Sequence, residues 1–199
     1  MADLPLLAHS LAEAYLYVMV SPCESCGNGP LYGGEACGVE TPGGSWSTNL
    51  PGTCGACGAT ISITFQLASR PEEEASADAA SINSTDEPSR IIDVGQWLTL
   101  FRMITEAATR EDDKVQVRHL GMEAAQCLDE ALKFYDDEGN DLPPSDAIFV
   151  ESSRLRFEDN PGQFSRRRLL DLRSKLPTTS QMRSQLFRSR KKPWWRRGS

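Results

Sequence analysis

The sequence predicts an α+β protein in which a small cysteine-containing β module precedes an all-α helical domain and a basic tail. Two C-x-x-C-G turns lie in a glycine-rich stretch, since ten of the fifteen glycines fall between Gly27 and Gly58. Apolar residues recur at helical spacing beyond residue 89, and the chain from Arg166 onward holds twelve Lys and Arg with one acid. We therefore predict four segments: a β module over 1–68, an acidic flexible linker over 69–88, a helical domain of about four helices over 89–177 and a disordered basic tail over 178–199.

The N-terminal stretch lacks the features of an exported or membrane-spanning chain. Its longest apolar run, residues 14–20, has seven residues, whereas a helix needs roughly 20 to cross a bilayer. Asp3 stands where a secretory signal would carry basic residues, so we expect a cytoplasmic protein without a transmembrane segment. Thiols stay reduced in that compartment, which argues against structural disulfides. We predict a short helix over residues 4–14 and a strand over residues 15–20 that leads into the first cysteine turn.

The two cysteine turns are the strongest functional signal in the chain. Cys23 and Cys26 form one pair and Cys54 and Cys57 the other, and a glycine follows each pair. Two thiolates on a tight turn can face one ion, and four make the tetrahedral site that zinc prefers. Iron in a rubredoxin-like site needs nearly the same geometry and remains the alternative metal. A thioredoxin-type redox role needs one such pair at a helix N-terminus, and two matched pairs argue against it.

The segments "YLYVMVSPCESCG" and "TCGACGATISITFQL" resemble the two knuckles of the zinc-ribbon superfamily together with their flanking strands. The resemblance covers residues 15–68 and implies a small β-ribbon whose zinc ligands are Cys23, Cys26, Cys54 and Cys57. With four cysteines the coordination shell is closed, which implies a structural Zn²⁺ that folds the segment and performs no chemistry. Cys37, in the loop between the pairs, is expected to be a spare thiol or to replace one of the four ligands, and Cys127 to be a core residue.

The segment after the cysteine turns divides into a linker and four helices. Residues 69–88 are acidic, with Ile82 as the single large apolar side chain, so they bury too little surface to offset their ordering entropy. Two apolar stripes then predict an amphipathic pair of helices that pack together. A third helix is predicted to be capped by Ser145 or Asp146, and a fourth to begin at Pro161 and end before Pro177. The stripes comprise Val94, Trp97, Leu98, Phe101, Ile104 and Ala108, and Val117, Leu120, Ala124, Leu128, Ala131, Leu132 and Tyr135.

No pattern of catalytic residues is present, so we predict that the protein is not an enzyme. The two histidines, His9 in the predicted N-terminal helix and His119 early in the second long helix, have no spacing that suggests a dyad or a ligand pair. The sequence contains neither G-x-S-x-G nor a Walker loop. The many carboxylates are expected to form a solvated surface.

The predicted function is that of an adaptor that binds an unidentified protein partner. The alternative is a nucleic-acid-associated protein of transcription or translation, because cations in the tail can meet phosphates while Trp stacks on bases. Two further uses of the tail are an anionic membrane surface and the protein's own acidic body, since the first 165 residues hold nine bases and 27 acids. The tail residues predicted to bind an anionic surface are Arg188, Arg190, Lys191, Lys192, Trp194, Trp195, Arg196 and Arg197.

Overall fold

The computed structural model describes residues 5–40, 45–68, 82–136 and 139–177. These residues form a mixed α+β structure with a small sheet and five α-helices, in agreement with the predicted fold class. The chain divides into two compact units, with the boundary between Ser84 and Thr85. Most of the predicted linker and the whole predicted tail lie outside the described residues. At the described end of the linker, Ile82 and Asn83 are buried.

The N-terminal unit is built on a five-stranded sheet, whose strands are β1 (Leu6–Ala8), β2 (Leu31–Gly33), β3 (Cys37–Glu40), β4 (Trp46–Cys54) and β5 (Thr60–Leu67). The long hairpin of β4 and β5 forms its centre. β1 runs parallel to β5, whereas β2 and β3 pair antiparallel with different halves of β4. The second cysteine turn is therefore the tip of the central hairpin.

The segment that precedes the first cysteine turn is a helix, α1 (Leu11–Val20), so the strand predicted over residues 15–20 is wrong. The helix predicted over residues 4–14 is correct only from residue 11, because residues 6–8 form β1. Ser10 caps α1, because its hydroxyl accepts a 3.0 Å hydrogen bond from the Glu13 N–H. The helix is buried on nearly every face and lacks a polar stripe, and without that stripe a short apolar run reads equally well as a strand.

One face of the sheet packs against α1. Along β4, Thr48, Leu50 and Cys54 are buried, as the period of two requires when one face of a strand is covered. A Cβ added at Gly52 would lie 3.2 Å from Val18 Cγ1, and one at Gly33 would lie 2.7 Å from the Tyr15 ring. Small residues in the strands thus let α1 approach the sheet closely.

The described part of the C-terminal unit contains four α-helices: α2 (Val94–Thr109), α3 (Lys114–Leu132), α4 (Glu151–Asp159) and α5 (Arg166–Ser174). The first two coincide with the predicted amphipathic pair, and they pack against each other. Their stripes are correct in the main, although Val117 is exposed and Leu100, absent from the predicted stripe, is fully buried. Trp97, Ile104 and Leu128 complete the centre of this core.

The last two helices begin later than predicted. Ser145 opens a single 3₁₀ turn, Ser145–Ala147, and α4 starts at Glu151 after Val150, whose side chain makes no capping bond. Pro161 likewise opens a 3₁₀ turn, Pro161–Phe164, and Ser165 caps α5 instead. The helix predicted to be capped by Ser145 or Asp146 and the helix predicted to begin at Pro161 are therefore each one short turn followed by a separate α-helix. Within the described ranges, none of the helices combines the length and the apolarity that crossing a bilayer requires.

Candidate metal centre

Two turns at one end of the sheet bring four cysteines together. Cys23 and Cys26 lie in the turn between α1 and β2, whereas Cys54 ends β4 and Cys57 lies in the turn that joins it to β5. Their four Sγ atoms all lie within 4.8 Å of one another. All four predicted ligands are thus brought into one cluster, which can hold a metal ion.

The sulfur separations fit a tetrahedral ion. Cys23 Sγ lies 3.7 Å from Cys57 Sγ, and Cys26 Sγ lies 3.8 Å from Cys54 Sγ. A tetrahedron with metal–sulfur bonds of about 2.3 Å has edges of roughly 3.8 Å. Both short separations join one turn to the other, so an ion at the centre would cross-link the two turns.

The two turns have the same backbone structure. In the first, the Gly27 N–H donates to Cys23 O at 2.7 Å and the Cys23 N–H donates to Asn28 O at 2.7 Å. The equivalent bonds in the second turn, Gly58 N–H to Cys54 O and Cys54 N–H to Ala59 O, are both 2.8 Å. Gly27 and Gly58 have φ of 70° and 73°, values in the left-handed region that L-residues with a Cβ rarely adopt. The glycine after each cysteine pair is therefore needed for its backbone conformation.

Neighbouring residues fix the two turns against each other. β2 leaves the first turn and pairs with β4, so that Leu31 lies opposite Cys54. The Gly55 N–H also donates a 3.0 Å hydrogen bond to Pro30 O. A Cβ at Gly55 would lie 2.7 Å from the Tyr32 ring, so a larger residue at this position would have to displace that ring. The role of Gly55 was not predicted from the sequence, in which its signal is its place between two cysteines.

The thiols differ in their tendency to lose a proton. The backbone N–H groups of Ser25 and Cys26 lower the pKa of Cys23 to about 7. The Ala59 N–H lowers the pKa of Cys57, but the Cys26 side chain, desolvation and the other two sulfurs outweigh it and raise that pKa to about 12. No Lys or Arg occurs between residues 21 and 69 to neutralise thiolate charge. The cluster can therefore carry four thiolates only if a bound cation compensates their charge.

The four cysteines differ in exposure. Cys23 and Cys54 are 1% and 2% exposed, Cys26 is half-buried and Cys57 is exposed. Among the described residues, no histidine or carboxylate belongs to the cluster. Four cysteine ligands would fill a tetrahedral shell and leave no position for a substrate or a reactive water.

The other residues singled out in the sequence lie away from this cluster. Cys37 is an exposed residue of β3, and Cys127 is fully buried in α3, where burial raises its pKa. His9 precedes α1 instead of belonging to a helix, and His119 lies in α3. The eight predicted anion-binding residues from Arg188 to Arg197 lie outside the described residues.

Comparison of the chain with protein-family models, with curated proteins and with solved structures gives no match.

Proposed function

We propose that this protein is a non-catalytic adaptor whose N-terminal unit is a zinc-ribbon-like module. One structural Zn²⁺, bound by Cys23, Cys26, Cys54 and Cys57, stabilises this module, and the module binds a protein partner. The observation that carries the proposal is the four-sulfur cluster, because its separations match the edges of a tetrahedral thiolate site. The module departs from the zinc-ribbon pattern in one respect, since a helix leads into its first knuckle.

Zinc is the metal that this donor set suits best. Four thiolates are soft ligands, and tetrahedral sulfur sites in proteins bind zinc or iron. Two of the strands, β1 and β2, have only three residues each, and strands this short contribute little stability alone. A cross-link between the two turns holds β2 against the tip of the β4–β5 hairpin, so the metal contributes directly to the folding free energy.

The sheet face opposite α1 supports a protein partner. The register places Ser47, Asn49, Thr53, Thr60, Ser62 and Thr64 on this outer sheet face, and all of them are exposed or half-buried. Leu7, Tyr32 and Val39 lie on the same face by pairing with β5 and β4, and they are 38%, 40% and 65% exposed. No described position on this face carries a charged side chain.

A surface without charged side chains suits a protein partner better than a nucleic acid. Depletion of charged residues, together with exposed aromatic and aliphatic groups, is typical of the centres of protein–protein interfaces. Nucleic acid instead requires cations against its phosphates, and the outer sheet face has none. We therefore assign it to a protein partner whose docking surface is also uncharged.

Metal analysis of the purified full chain tests the zinc site. We expect about one zinc per chain, loss of the metal in Cys54→Ser, and retention of the metal in the control Cys37→Ser, because Cys37 lies outside the cluster. A metal-free wild type, or a Cys54→Ser protein that keeps full zinc occupancy, contradicts the proposal. Iron in place of zinc would give a coloured protein and correct the metal identity.

Capture of the protein partner, compared with and without nuclease treatment, tests the adaptor function. Thr64→Lys places a cation at the centre of the outer sheet face and should abolish capture, whereas the control Ser152→Lys, at an exposed position of α4, should not. We also expect the partner to remain bound after nuclease treatment and to bind equally well to a chain that ends at Pro177. Loss of the captured material on nuclease treatment or on truncation at Pro177 would instead favour the nucleic-acid function, which the basic composition of the tail supports.

A further inference from the structure

The cysteine cluster combines close sulfur pairs with a gradient of exposure. Each short sulfur–sulfur separation joins a buried cysteine of one knuckle to a more accessible cysteine of the other. In one pair the buried Cys23 faces the exposed Cys57 at 3.7 Å, and in the other the buried Cys54 faces the half-buried Cys26 at 3.8 Å. An oxidant that arrives from solvent therefore meets Cys57 first, and the Cys23 sulfur lies 3.7 Å from the Cys57 sulfur.

We propose that Cys57 is a site of reversible oxidation by hydrogen peroxide, that Cys23 resolves the oxidised residue as a disulfide between the two knuckles, and that the module thereby loses its metal. This inference rests on the proposed zinc site. It adds a regulatory modification to that site, which would link the folded state of the binding module to the local peroxide concentration.

The oxidation of Cys57 and its resolution by Cys23 proceed in two steps. Metal-bound cysteines are thiolates, so the Cys57 thiolate can attack one peroxide oxygen, which forms cysteine sulfenic acid and releases hydroxide. The Cys23 thiolate then attacks the Cys57 sulfur, forms the disulfide and releases a second hydroxide. Two thiolates lose two electrons in total, and one peroxide gains them. Solvent protonates the two hydroxide ions.

The disulfide removes half of the ligand set. Cys26 and Cys54 remain, and two thiolates bind zinc far more weakly than four. A disulfide bond is about 2.05 Å long, so the sulfurs of Cys23 and Cys57 must approach each other from 3.7 Å. The position between the sulfurs is then too small for the ion. Reduction by a thiol restores both thiolates, and the site can bind zinc again.

The test uses the zinc-loaded full chain treated with a few equivalents of peroxide. A chromogenic indicator measures zinc release, a 1,3-dicarbonyl reagent traps sulfenic acid, and mass spectrometry locates both the trapped residue and the disulfide. We expect release of one zinc per chain, trapping at Cys57 several-fold above Cys23, Cys26 and Cys54, and a Cys23–Cys57 disulfide. Dithiothreitol should restore zinc binding. Cys37→Ser, which lacks the exposed cysteine outside the cluster, should release zinc at an unchanged rate.

Two outcomes would contradict the oxidation of Cys57 alone, and a third would contradict the zinc site as well. If the zinc-loaded protein keeps its metal under peroxide while Cys37 alone is oxidised, the oxidation proposal is wrong and the zinc site stands. A disulfide within one knuckle, Cys23–Cys26 or Cys54–Cys57, also overturns the assignment of Cys57 and Cys23. A wild-type protein that binds no zinc overturns the proposed function and this inference together.

Discussion

The hydroxyl of Ser153 donates a 2.7 Å hydrogen bond to Oδ1 of Asp93, which is completely buried between the first turns of α2 and α4. The same carboxylate accepts the Gln96 N–H at 2.8 Å and the Val150 N–H at 2.9 Å. One residue therefore caps its own helix, α2, and also the start of α4. This double role explains why α4 begins after Val150, whose side chain makes no capping bond.

Replacing Asp93 should therefore cost more than the loss of an ordinary helix cap. Asp93→Ala leaves the Gln96 N–H and the Ser153 hydroxyl buried without their acceptor, and the half-buried Val150 N–H loses its acceptor as well. Each buried unsatisfied group costs about 1–3 kcal/mol. Urea unfolding of the full chain measures the loss of unfolding free energy. Asp113→Ala is the matched control, because Asp113 caps α3 at an exposed position and an ordinary cap is worth about 1 kcal/mol. Equal losses in the two variants would contradict the double cap.

Replacing Gly95 or Gly121 with Ala should change the stability of the C-terminal unit in opposite directions. Both lie inside helices, where Ala is favoured over Gly by up to about 1 kcal/mol. A Cβ at Gly95 would lie 2.4 Å from Ser153 Oγ and 3.2 Å from the Ser153 Cα, whereas one at Gly121 meets only Pro177 side-chain atoms at 3.5 Å or more. We expect Gly95→Ala to lower the melting temperature of the C-terminal unit and Gly121→Ala to raise it. A Gly95→Ala protein as stable as the wild type would show that α2 and α4 pack less closely than described.

Some parts of this fold could be predicted from the sequence, and others could not. α2 and α3 were predictable because each has an apolar stripe of helical period on an otherwise polar helix. α1 was not, because its surroundings cover nearly every face and leave no polar stripe to set the period. The start of α4 was not predictable either, since its cap, Asp93, lies more than fifty residues upstream.

The four-cysteine cluster was easier to predict from the sequence than the helices, because its signal is local. The paired C-x-x-C-G spacing identified Cys23, Cys26, Cys54 and Cys57, and these are the four residues that the fold brings together. Spacing could not indicate which thiol of one turn faces which thiol of the other, since that depends on the pairing of β2 with β4. The difference in exposure between Cys57 and Cys23 depends on the same packing, and no sequence pattern encodes it.

Asp141 gives the C-terminal unit a defined response to acid. The Arg167 N–H donates to its carboxylate at 2.9 Å and the Ser165 hydroxyl at 2.7 Å, and these bonds lower the pKa of Asp141 below its ordinary value. A carboxylate with a lowered folded-state pKa stabilises the protein above the unfolded pKa, near 4, and this contribution is lost as the pH falls through the folded value. We expect Asp141→Asn to be less stable than the wild type at pH 7, with the difference shrinking as the pH falls below about 4.

Urea unfolding of both proteins at pH 7 and pH 3 measures this difference. The control is Asp112→Asn, at an exposed position in the turn between α2 and α3, which should change the unfolding free energy little at either pH. If the difference between Asp141→Asn and the wild type is the same at pH 3 and pH 7, the charge of Asp141 does not stabilise the start of α5.

The basic tail provides the last prediction, which rests on sequence alone. Residues 181–199 contain seven Lys and Arg, no acid, and two adjacent tryptophans, Trp194 and Trp195. Cations attract an anionic surface by releasing its counterions, and the indole rings can stack on bases or enter a membrane interface. We expect weak binding that falls steeply with salt and shows no sequence preference. Tryptophan fluorescence of the tail peptide, titrated with single-stranded nucleic acid and separately with anionic vesicles, distinguishes the two surfaces.

Replacing both tryptophans with Ala should weaken binding without changing its salt dependence, because phosphate contacts set that dependence. A peptide that responds to neither surface would contradict the prediction, and cross-links from the tail to acidic residues of the full chain would then identify self-docking as its role.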